Sequence, residues 1–258
     1  MTALKILVGH KRPAFQLWPG WKFLGPNPHG PDDIILDDLQ RRNGQPDDGL
    51  IGEYFFLFAL ARQMRPAEED SITIGQYRRL VVNAPLGEPA SNQPWTRTIG
   101  AKQTEQLDMD LLTRPARARF LISSLVQVDS VANQFALHHP LRDFYRFLSD
   151  LVDEGILDDS QIRDAAMVNV FVPAPSNGAF PSKSFVAIMS QLEQAANSFM
   201  RCGYVPRDGY QRRIIGFCLE RLHSYLLLLE LARRQIPFDA VSGHQLTIAE
   251  APVVAPTI

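Results

Sequence analysis

Four polar residues interrupt an apolar stretch of the sequence, SITIGQYRRLVV at residues 71–82. They are Gln76, Tyr77, Arg78 and Arg79, and the apolar runs on both sides predict buried strands. An arginine guanidinium is a planar fork of donors that matches phosphate oxygens, so two arginines and a tyrosine at the end of a strand can grip a diphosphate. The alternative is a strand in which one arginine faces solvent and the other faces an internal carboxylate.

A single acid, Glu53, occurs in the otherwise apolar run LIGEYFFLFALARQM at residues 50–64. Apolar residues recur there at helical spacing and fill the other face as well, which predicts a buried helix. A carboxylate buried in such a helix is costly unless it is paired or lines a cleft. Glu53 is therefore a candidate catalytic residue. The alternative is a structural salt bridge, for instance to Arg78 or Arg79.

Two further charged groups lie next to apolar elements. Glu220 and Arg221 interrupt the apolar helix IGFCLERLHSYL, and a structural pairing with another helix is their default interpretation. His10, Lys11 and Arg12 follow the first apolar run, KILVG, which predicts a strand. Ligands of open α/β sheets bind beyond the carboxyl ends of the strands, which favours a binding role for this cluster. Exposed basic residues are nevertheless common on loops.

Most sequence signatures of known chemistry are missing. The chain has no glycine-rich dinucleotide motif after its first strand, no P-loop and no G-x-S-x-G elbow. His138 and His139 are adjacent, so on a helix they point to different sides and form no chelating pair. A D-x-D pair, Asp108 and Asp110, can hold a divalent cation against a diphosphate. Its context TEQLDMDLL has a helical pattern, which favours a solvated helix.

Composition and charge exclude several classes of protein. A net charge of −2 and a pI of about 6.3 give no basic face for nucleic acid. Two cysteines, Cys202 and Cys218, exclude a disulfide framework and a four-cysteine zinc site. The apolar run in MTALKILVGH is too short for a secretory signal, and YLLLLELA at residues 225–232 is too short to span a membrane. We expect a soluble, cytoplasmic protein, and contact with the inner face of the membrane stays open.

The predicted elements alternate between strand and helix along the chain, and helices dominate after residue 130. This order predicts a single α/β domain over residues 1–235, with a mixed, mostly parallel sheet flanked by helices. Residues 18–49 and 83–98 are rich in proline and polar residues and are expected to be irregular. Residues 236–258 are expected to form a C-terminal tail with a final strand and a loose end.

Six short motifs follow one another along the chain: ILVGHK, GEYFFLFALARQ, IGQYRR, FALHHPLRDF, VNVFV and GFCLERL. In this order and spacing they resemble the bacterial capsular-polysaccharide-synthesis family, which carries a glycosyltransferase-like domain. The resemblance covers about residues 4–230. The sequence departs from it at Gln76, where the family has a histidine, and at Ala61, where a tryptophan is usual.

The resemblance implies a GT-A-like fold and transfer of a sugar from a nucleotide donor to a hydroxyl of a surface polysaccharide or glycoconjugate. Such chemistry needs a base for the hydroxyl and positive charge for the departing diphosphate. Glu53 is then the base or an acceptor anchor, and Glu220 and Arg221 hold the substrate-binding constellation together. The residues assigned to the diphosphate are His10, Lys11, Tyr77, Arg78 and Arg79.

The partners that the resemblance implies are a nucleotide-sugar donor and a saccharide or glycoconjugate acceptor, without nucleic acid. Metal dependence stays open between a Mn²⁺- or Mg²⁺-assisted reaction and a metal-free one, because the D-x-D pair lies in a helical pattern. A second hypothesis is a catalytically inactive relative that binds a glycan or a protein, since Gln76 replaces the family's histidine. A pocket lined by Glu53, Tyr77 and Arg78 favours the enzyme, and a filled pocket favours the binding module.

Overall fold

The strands come from both halves of the chain. The computed structural model describes residues 3–26, 30–31, 33–34, 48–67, 70–90, 93–115 and 118–249. Within these ranges the strands are β1 (Ala3–Val8), β2 (Trp21–Leu24), β3 (Ser71–Gln76), β4 (Arg79–Val82), β5 (Glu88–Ala90), β6 (Gln93–Gly100), β7 (Leu121–Ser123), β8 (Val126–Gln127), β9 (Val170–Phe171), β10 (Gly178–Pro181) and β11 (Ser242–Ala249).

The longest helices lie in the second half of the chain, as the sequence predicts. The helices of the described ranges are α1 (Asp48–Ile51), α2 (Tyr54–Gln63), α3 (Met109–Leu112), α4 (Val131–Ala136), α5 (Leu141–Asp153), α6 (Asp159–Met167), α7 (Ser182–Cys202) and α8 (Ile214–Arg233). Short 3₁₀ turns occur at Ala101–Gln106, Gly209–Arg213 and Phe238–Ala240. None of the described helices is both long enough and apolar enough to cross a membrane.

The main sheet has the strand order β2-β1-β3-β10-β7-β11-β6-β5, and β4 pairs with β11 and with the end of β3. β1 runs parallel to β2 and β3, and β11 runs parallel to β6 and β7. The other pairings are antiparallel, including both pairings of β10. The expected α/β class is confirmed, but the sheet is mixed rather than mostly parallel. A tight turn at Tyr77 and Arg78 joins β3 to β4, and such a turn permits only antiparallel neighbours.

Five of these strands close into a ring of pairings, in the order β3, β10, β7, β11, β4 and back to β3. Val81, Leu121 and Ala179 form a small buried cluster of their own from three of the ring strands. Glycine permits the close approach, since a Cβ on Gly75 would lie 2.3 Å from Leu80 Cδ2.

Apolar layers cover the sheet. One large core joins α2, α5, α7 and α8 to β1 and β3, and it buries many aromatic side chains. A second core contains Trp18, Trp21 and Met109 against β1, β4, β6 and β11. The helices that the sequence predicts from apolar periodicity therefore bury their apolar surface against the sheet, as amphipathic elements require.

Two segments that the sequence predicts to be irregular contain strands. Residues 18–49 include β2, which pairs with β1 at the edge of the sheet, and residues 27–29, 32 and 35–47 lie outside the described ranges. Residues 83–98 include β5 and most of β6, an antiparallel pair at the other edge of the sheet. The prolines of this segment favour a loop prediction, but proline is tolerated in edge strands such as β5. The final strand expected after residue 236 is confirmed as β11, but it lies between β7 and β6 in the interior of the sheet and not in a tail. Residues 250–258 lie outside the described ranges.

Candidate functional site

A cleft of about 930 Å³ opens at the carboxyl ends of β1 and β3. Its sheet wall consists of the residues that follow these two strands, and its helix wall consists of the end of α4, the 3₁₀ turn Gly209–Arg213 and the first turns of α8. The structure brings together in this cleft all the site residues named from the sequence: His10, Lys11, Glu53, Tyr77, Arg78, Arg79, Glu220 and Arg221.

The sheet wall is built by the register of two parallel strands. Val8, the last residue of β1, is the partner of Gln76, the last residue of β3. The Tyr77 amide donates to the Val8 carbonyl at 2.9 Å, and a Cβ on Gly9 would lie 3.0 Å from the Tyr77 side chain. The chain after β1 therefore runs beside the β3–β4 turn, which brings Lys11 to the same edge as the two arginines.

Four cations that line the cleft are not paired with any described acid, whereas a fifth, Arg221, is paired with Glu220. Among the described residues, Lys11, Arg78, Arg79 and Arg213 take part in no ion pair. The guanidinium of Arg78 lies 5.2 Å from the centre of the Tyr77 ring. These charges face the cleft and are available to an anionic ligand. Arg12 differs from them, because it lies outside the cleft lining and binds Asp33 at 2.7 Å.

Glu53 does not lie inside a helix, contrary to the sequence prediction. Gly52, at φ +62°, ends α1, and Glu53 is the N-cap residue of α2. The left-handed backbone favours glycine at this position. The position that a Cβ would occupy lies 2.4 Å from Arg213 Nη2, at the end of a flexible side chain. The break in the helix turns the Glu53 carboxylate into the cleft.

The partners of Glu53 are neutral donors. Its Oε1 accepts hydrogen bonds from Gln76 Nε2 and, at 3.4 Å, from Ser176 Oγ. The salt bridge to Arg78 or Arg79 that the sequence left open is not formed. Gln76, which stands where the resembled family has a histidine, therefore contacts the candidate catalytic acid directly.

Arg221 is a buried side chain that connects the elements of the helix wall. Its side chain is 9% exposed and donates to Gln134 Oε1 from Nε at 3.0 Å and from Nη2 at 2.8 Å. Its Nη1 donates to Glu220 Oε2 at 3.1 Å, and its guanidinium lies 5.4 Å from the Phe171 ring. Arg221 therefore ties α8 to α4 and β9 and orients the Glu220 carboxylate.

Glu220 is the second acid of the cleft. Burial raises the pKa of Glu220 above its usual range, the charge of Arg221 opposes this shift, and the nearby Glu53 carboxylate adds to it. About a third of the side chain, 34%, remains exposed. The two carboxylates thus act on the same region of the cleft, and Glu220 holds a proton to higher pH than an ordinary glutamate.

Sequence reasoning missed an aromatic group on the helix wall, which we call the aromatic platform: His139, Tyr210 and Phe217. The rings of His139 and Phe217 are stacked at 4.0 Å, and those of His139 and Tyr210 at 5.8 Å. The sequence predicts one helix through His138 and His139, but α4 ends before them. Pro140 stops regular structure there, because proline disfavours a helical conformation in the residue before it.

The D-x-D pair lies elsewhere. The Asp108 side chain caps α3 by accepting from the Leu111 amide at 3.0 Å, and Asp110 is paired with Lys5 at 2.5 Å. Both are exposed, in agreement with the solvated-helix interpretation. The described residues contain no group of three or more histidines, cysteines and acids that could hold a metal ion.

Comparison with known proteins supports the fold. No family model matches this sequence, and no curated protein matches it. Among solved structures, the apo structure of WbbM, a bifunctional glycosyltransferase, matches with a TM-score of 0.74 at 12% identity. The match covers 100% of this chain and 48% of that chain, so this chain spans about half the length of WbbM. The chain therefore has a fold that occurs in a glycosyltransferase, while the GT-A assignment and the capsular-polysaccharide family remain predictions.

Proposed function

We propose that this protein is a glycosyltransferase that transfers a sugar from a nucleotide-sugar donor to a hydroxyl of a saccharide or glycoconjugate acceptor, in the assembly of surface polysaccharide. One observation carries the proposal: a cleft in which cations that have no acidic partner among the described residues face a carboxylate held by neutral donors. The fold similarity to a glycosyltransferase supports it.

The diphosphate end of the donor binds the cations. Lys11, Arg78 and Arg79 on the sheet wall and Arg213 on the helix wall line one cleft. Positive charge and N–H donors fixed in place stabilise the negative charge that develops on the departing nucleoside diphosphate. Because these side chains have no acid to release first, the ligand gains their full attraction.

Glu53 accepts the acceptor's proton. Both hydrogen bonds of its carboxylate go to Oε1, and Oε2 has no hydrogen-bond partner among the described residues. The acceptor oxygen forms a bond to the anomeric carbon of the donor while the bond from that carbon to the diphosphate oxygen breaks. The hydroxyl proton passes to Glu53 Oε2, and the electron pair of the broken bond leaves with the diphosphate.

Donor binding is the first test. Saturation-transfer NMR with uridine and guanosine diphosphates and their sugars, each with and without Mn²⁺, should detect at least one ligand, and Arg78→Ala should weaken its binding. If no nucleotide or nucleotide sugar binds at millimolar concentration in either condition, the proposal is wrong. Circular dichroism of the variant checks that the fold is intact.

A second candidate function is a catalytically inactive glycan- or protein-binding module. The observation that favours it is the Gln76 amide on the Glu53 carboxylate, because an amide cannot relay a proton as a histidine can. Measured sugar transfer that disappears in a folded Arg78→Ala variant would exclude this alternative.

A further inference from the structure

We propose that the aromatic platform is the acceptor subsite and binds the apolar face of a pyranose ring. This inference rests on the proposed function, because it names the substrate class that the helix wall of the same cleft selects.

The platform presents an open ring face. The Tyr210 side chain is 66% exposed, whereas Phe217 and His139 behind it are 6% and 8% exposed. The rings of Tyr210 and Phe217 are 4.9 Å apart at 39°, so the buried pair supports the exposed ring from one side. Leu137, 76% exposed, adds apolar surface at the rim of the same cleft. A large apolar surface left open beside a polar cleft is typical of a binding site.

The platform is held in place before any ligand arrives. Gln211 makes a hydrogen bond of 3.1 Å between its Oε1 and His139 Nδ1, and its Nε2 donates to the His138 carbonyl at 2.8 Å. A Cβ on Gly216 would lie 3.2 Å from the Leu50 carbonyl, so α8 contacts α1 closely. These contacts fix the 3₁₀ turn against the residues that follow α4, and the start of α8 against α1. A rigid aromatic surface loses little entropy when it binds a ring.

The platform is uncharged, whereas the sheet wall is cationic. Burial lowers the pKa of His139, so its imidazole is neutral at neutral pH. The anionic part of a donor is therefore attracted to Lys11, Arg78 and Arg79 across the cleft and to Arg213, and the uncharged rings of the platform are left for a neutral ring.

The platform lines the same cleft as the acid that would activate the acceptor. The guanidinium of Arg213 lies 5.9 Å from the Phe217 ring, and Arg213 Nη2 lies 2.4 Å from the position that a Cβ of Gly52 would occupy. One side chain thus connects the platform to the residue before Glu53. A pyranose carries C–H groups on its face and hydroxyl donors at its edge, and ionised carboxylates only accept hydrogen bonds. A pyranose ring stacked on Tyr210 can direct its hydroxyls to Glu53 and Glu220. A nucleobase has fewer hydrogen-bond donors to offer these two acids.

The experiment measures two classes of probe on the same variants. Methyl glycosides of glucose, galactose and mannose report on the acceptor side, and uridine and guanosine diphosphates report on the donor side, both by saturation-transfer NMR. In Tyr210→Ala, the dissociation constant of the methyl pyranosides should rise about tenfold, the scale of one aromatic contact. Diphosphate binding should not change. Tyr210→Phe should bind both probes normally, and so should Tyr145→Ala, which removes a 48%-exposed tyrosine outside the cleft lining.

The outcomes separate this inference from the proposed function. Weaker diphosphate binding in Tyr210→Ala would overturn the inference, because the platform would then hold the nucleobase. Methyl pyranosides that do not bind, or that bind Tyr210→Ala as well as the wild type, would also overturn it. If pyranosides bind in a Tyr210-dependent way but no nucleotide binds, the subsite stands as a glycan site and the proposed glycosyltransferase function fails.

Discussion

Helix α8 carries one glutamate into each of two basic concavities, and the two glutamates behave differently. Glu220 lines the cleft, whereas Glu230 lines a groove of about 670 Å³ between α6, α7 and α8. In the groove, Glu230 accepts from Ser184 Oγ at 2.7 Å, from Arg234 Nε at 2.7 Å and from Arg233 Nε at 2.9 Å. Both arginines of the groove are therefore paired with Glu230, while most cations of the cleft have no acidic partner among the described residues.

The pKa values of Glu220 and Glu230 shift in opposite directions. Burial acts to raise the pKa of Glu230, but hydrogen bonds from Ser184, Arg234 and Arg233 outweigh it, and the pKa is lowered. For Glu220 burial prevails over Arg221, and the pKa is raised. Arginines beside a glutamate are thus common to both regions. What distinguishes a candidate ligand site is charge that the protein itself does not compensate.

The largest expected effect is that of Glu53→Gln on sugar transfer. If Glu53 accepts the acceptor's proton, the amide removes the base and the transfer rate should fall about a hundred- to ten-thousandfold. Binding of nucleoside diphosphate should persist, because the cations of the cleft are unchanged. The measurement is release of nucleoside diphosphate in the presence of acceptor, with Glu230→Gln as the matched control.

Glu230→Gln removes an acid of the same type from the groove and should leave the transfer rate unchanged. A Glu53→Gln variant that transfers sugar at the wild-type rate would remove the catalytic role of this acid. The cleft would then be a binding site without a general base at this position.

The next largest effect is on the affinity for nucleoside diphosphate, and it should distinguish the arginines of the cleft from those of the groove. Arg78→Ala removes a cation without an acidic partner, so the affinity for nucleoside diphosphate should fall about ten- to hundredfold, the value of hydrogen bonds to a charged group. Arg234→Ala removes a cation already bound to Glu230 and should leave this affinity unchanged. Isothermal titration calorimetry with the nucleoside diphosphate measures the dissociation constants of the two variants. Equal losses in both would mean that long-range charge, and not the cleft, binds the ligand.

Part of this contrast could be predicted from the sequence, because strand segments follow from local patterns. The apolar runs KILVG and SITIG predict β1 and β3, whereas the parallel register that pairs Val8 with Gln76 depends on contacts between distant segments. The long helices α7 and α8 follow from apolar periodicity and end near glycine or charged residues.

The rest depends on tertiary contacts that a local pattern does not encode. Gly52 lies in an apolar run, and the sequence indicates neither its left-handed backbone nor the approach of Arg213 from far along the chain. The aromatic platform joins residues 139, 210 and 217 through Gln211, and no spacing in the sequence indicates that contact. The antiparallel position of β10 likewise depends on pairing with β3 and β7.

A smaller effect concerns the stability of the groove. Glu230→Gln weakens the charged hydrogen bonds from Arg233 and Arg234, and the free energy of unfolding at neutral pH should fall by about 1–2 kcal/mol. The lowered pKa of Glu230 means that its contribution is present above the ordinary carboxyl value of 4.5 and is lost as the pH falls. Urea denaturation of both proteins should therefore show a stability difference that shrinks on acidification. A difference independent of pH would mean that the ionised carboxylate is not what stabilises the groove.

The smallest expected effect concerns Glu220, near the start of α8, whose contribution to stability should depend on pH with the opposite sign. The folded protein raises the pKa of Glu220, so folding favours its protonated form, and the contribution of this group is greatest below pH 4.5. It is lost as the pH rises through the folded pKa. The free energy of unfolding of the wild type, relative to that of Glu220→Gln, should therefore fall from acid to neutral pH. Relative to that of Glu230→Gln, it should rise over the same range. Urea titrations of the three proteins at several pH values measure both slopes, and slopes of the same sign would mean that Arg221 compensates Glu220 as fully as Arg233 and Arg234 compensate Glu230.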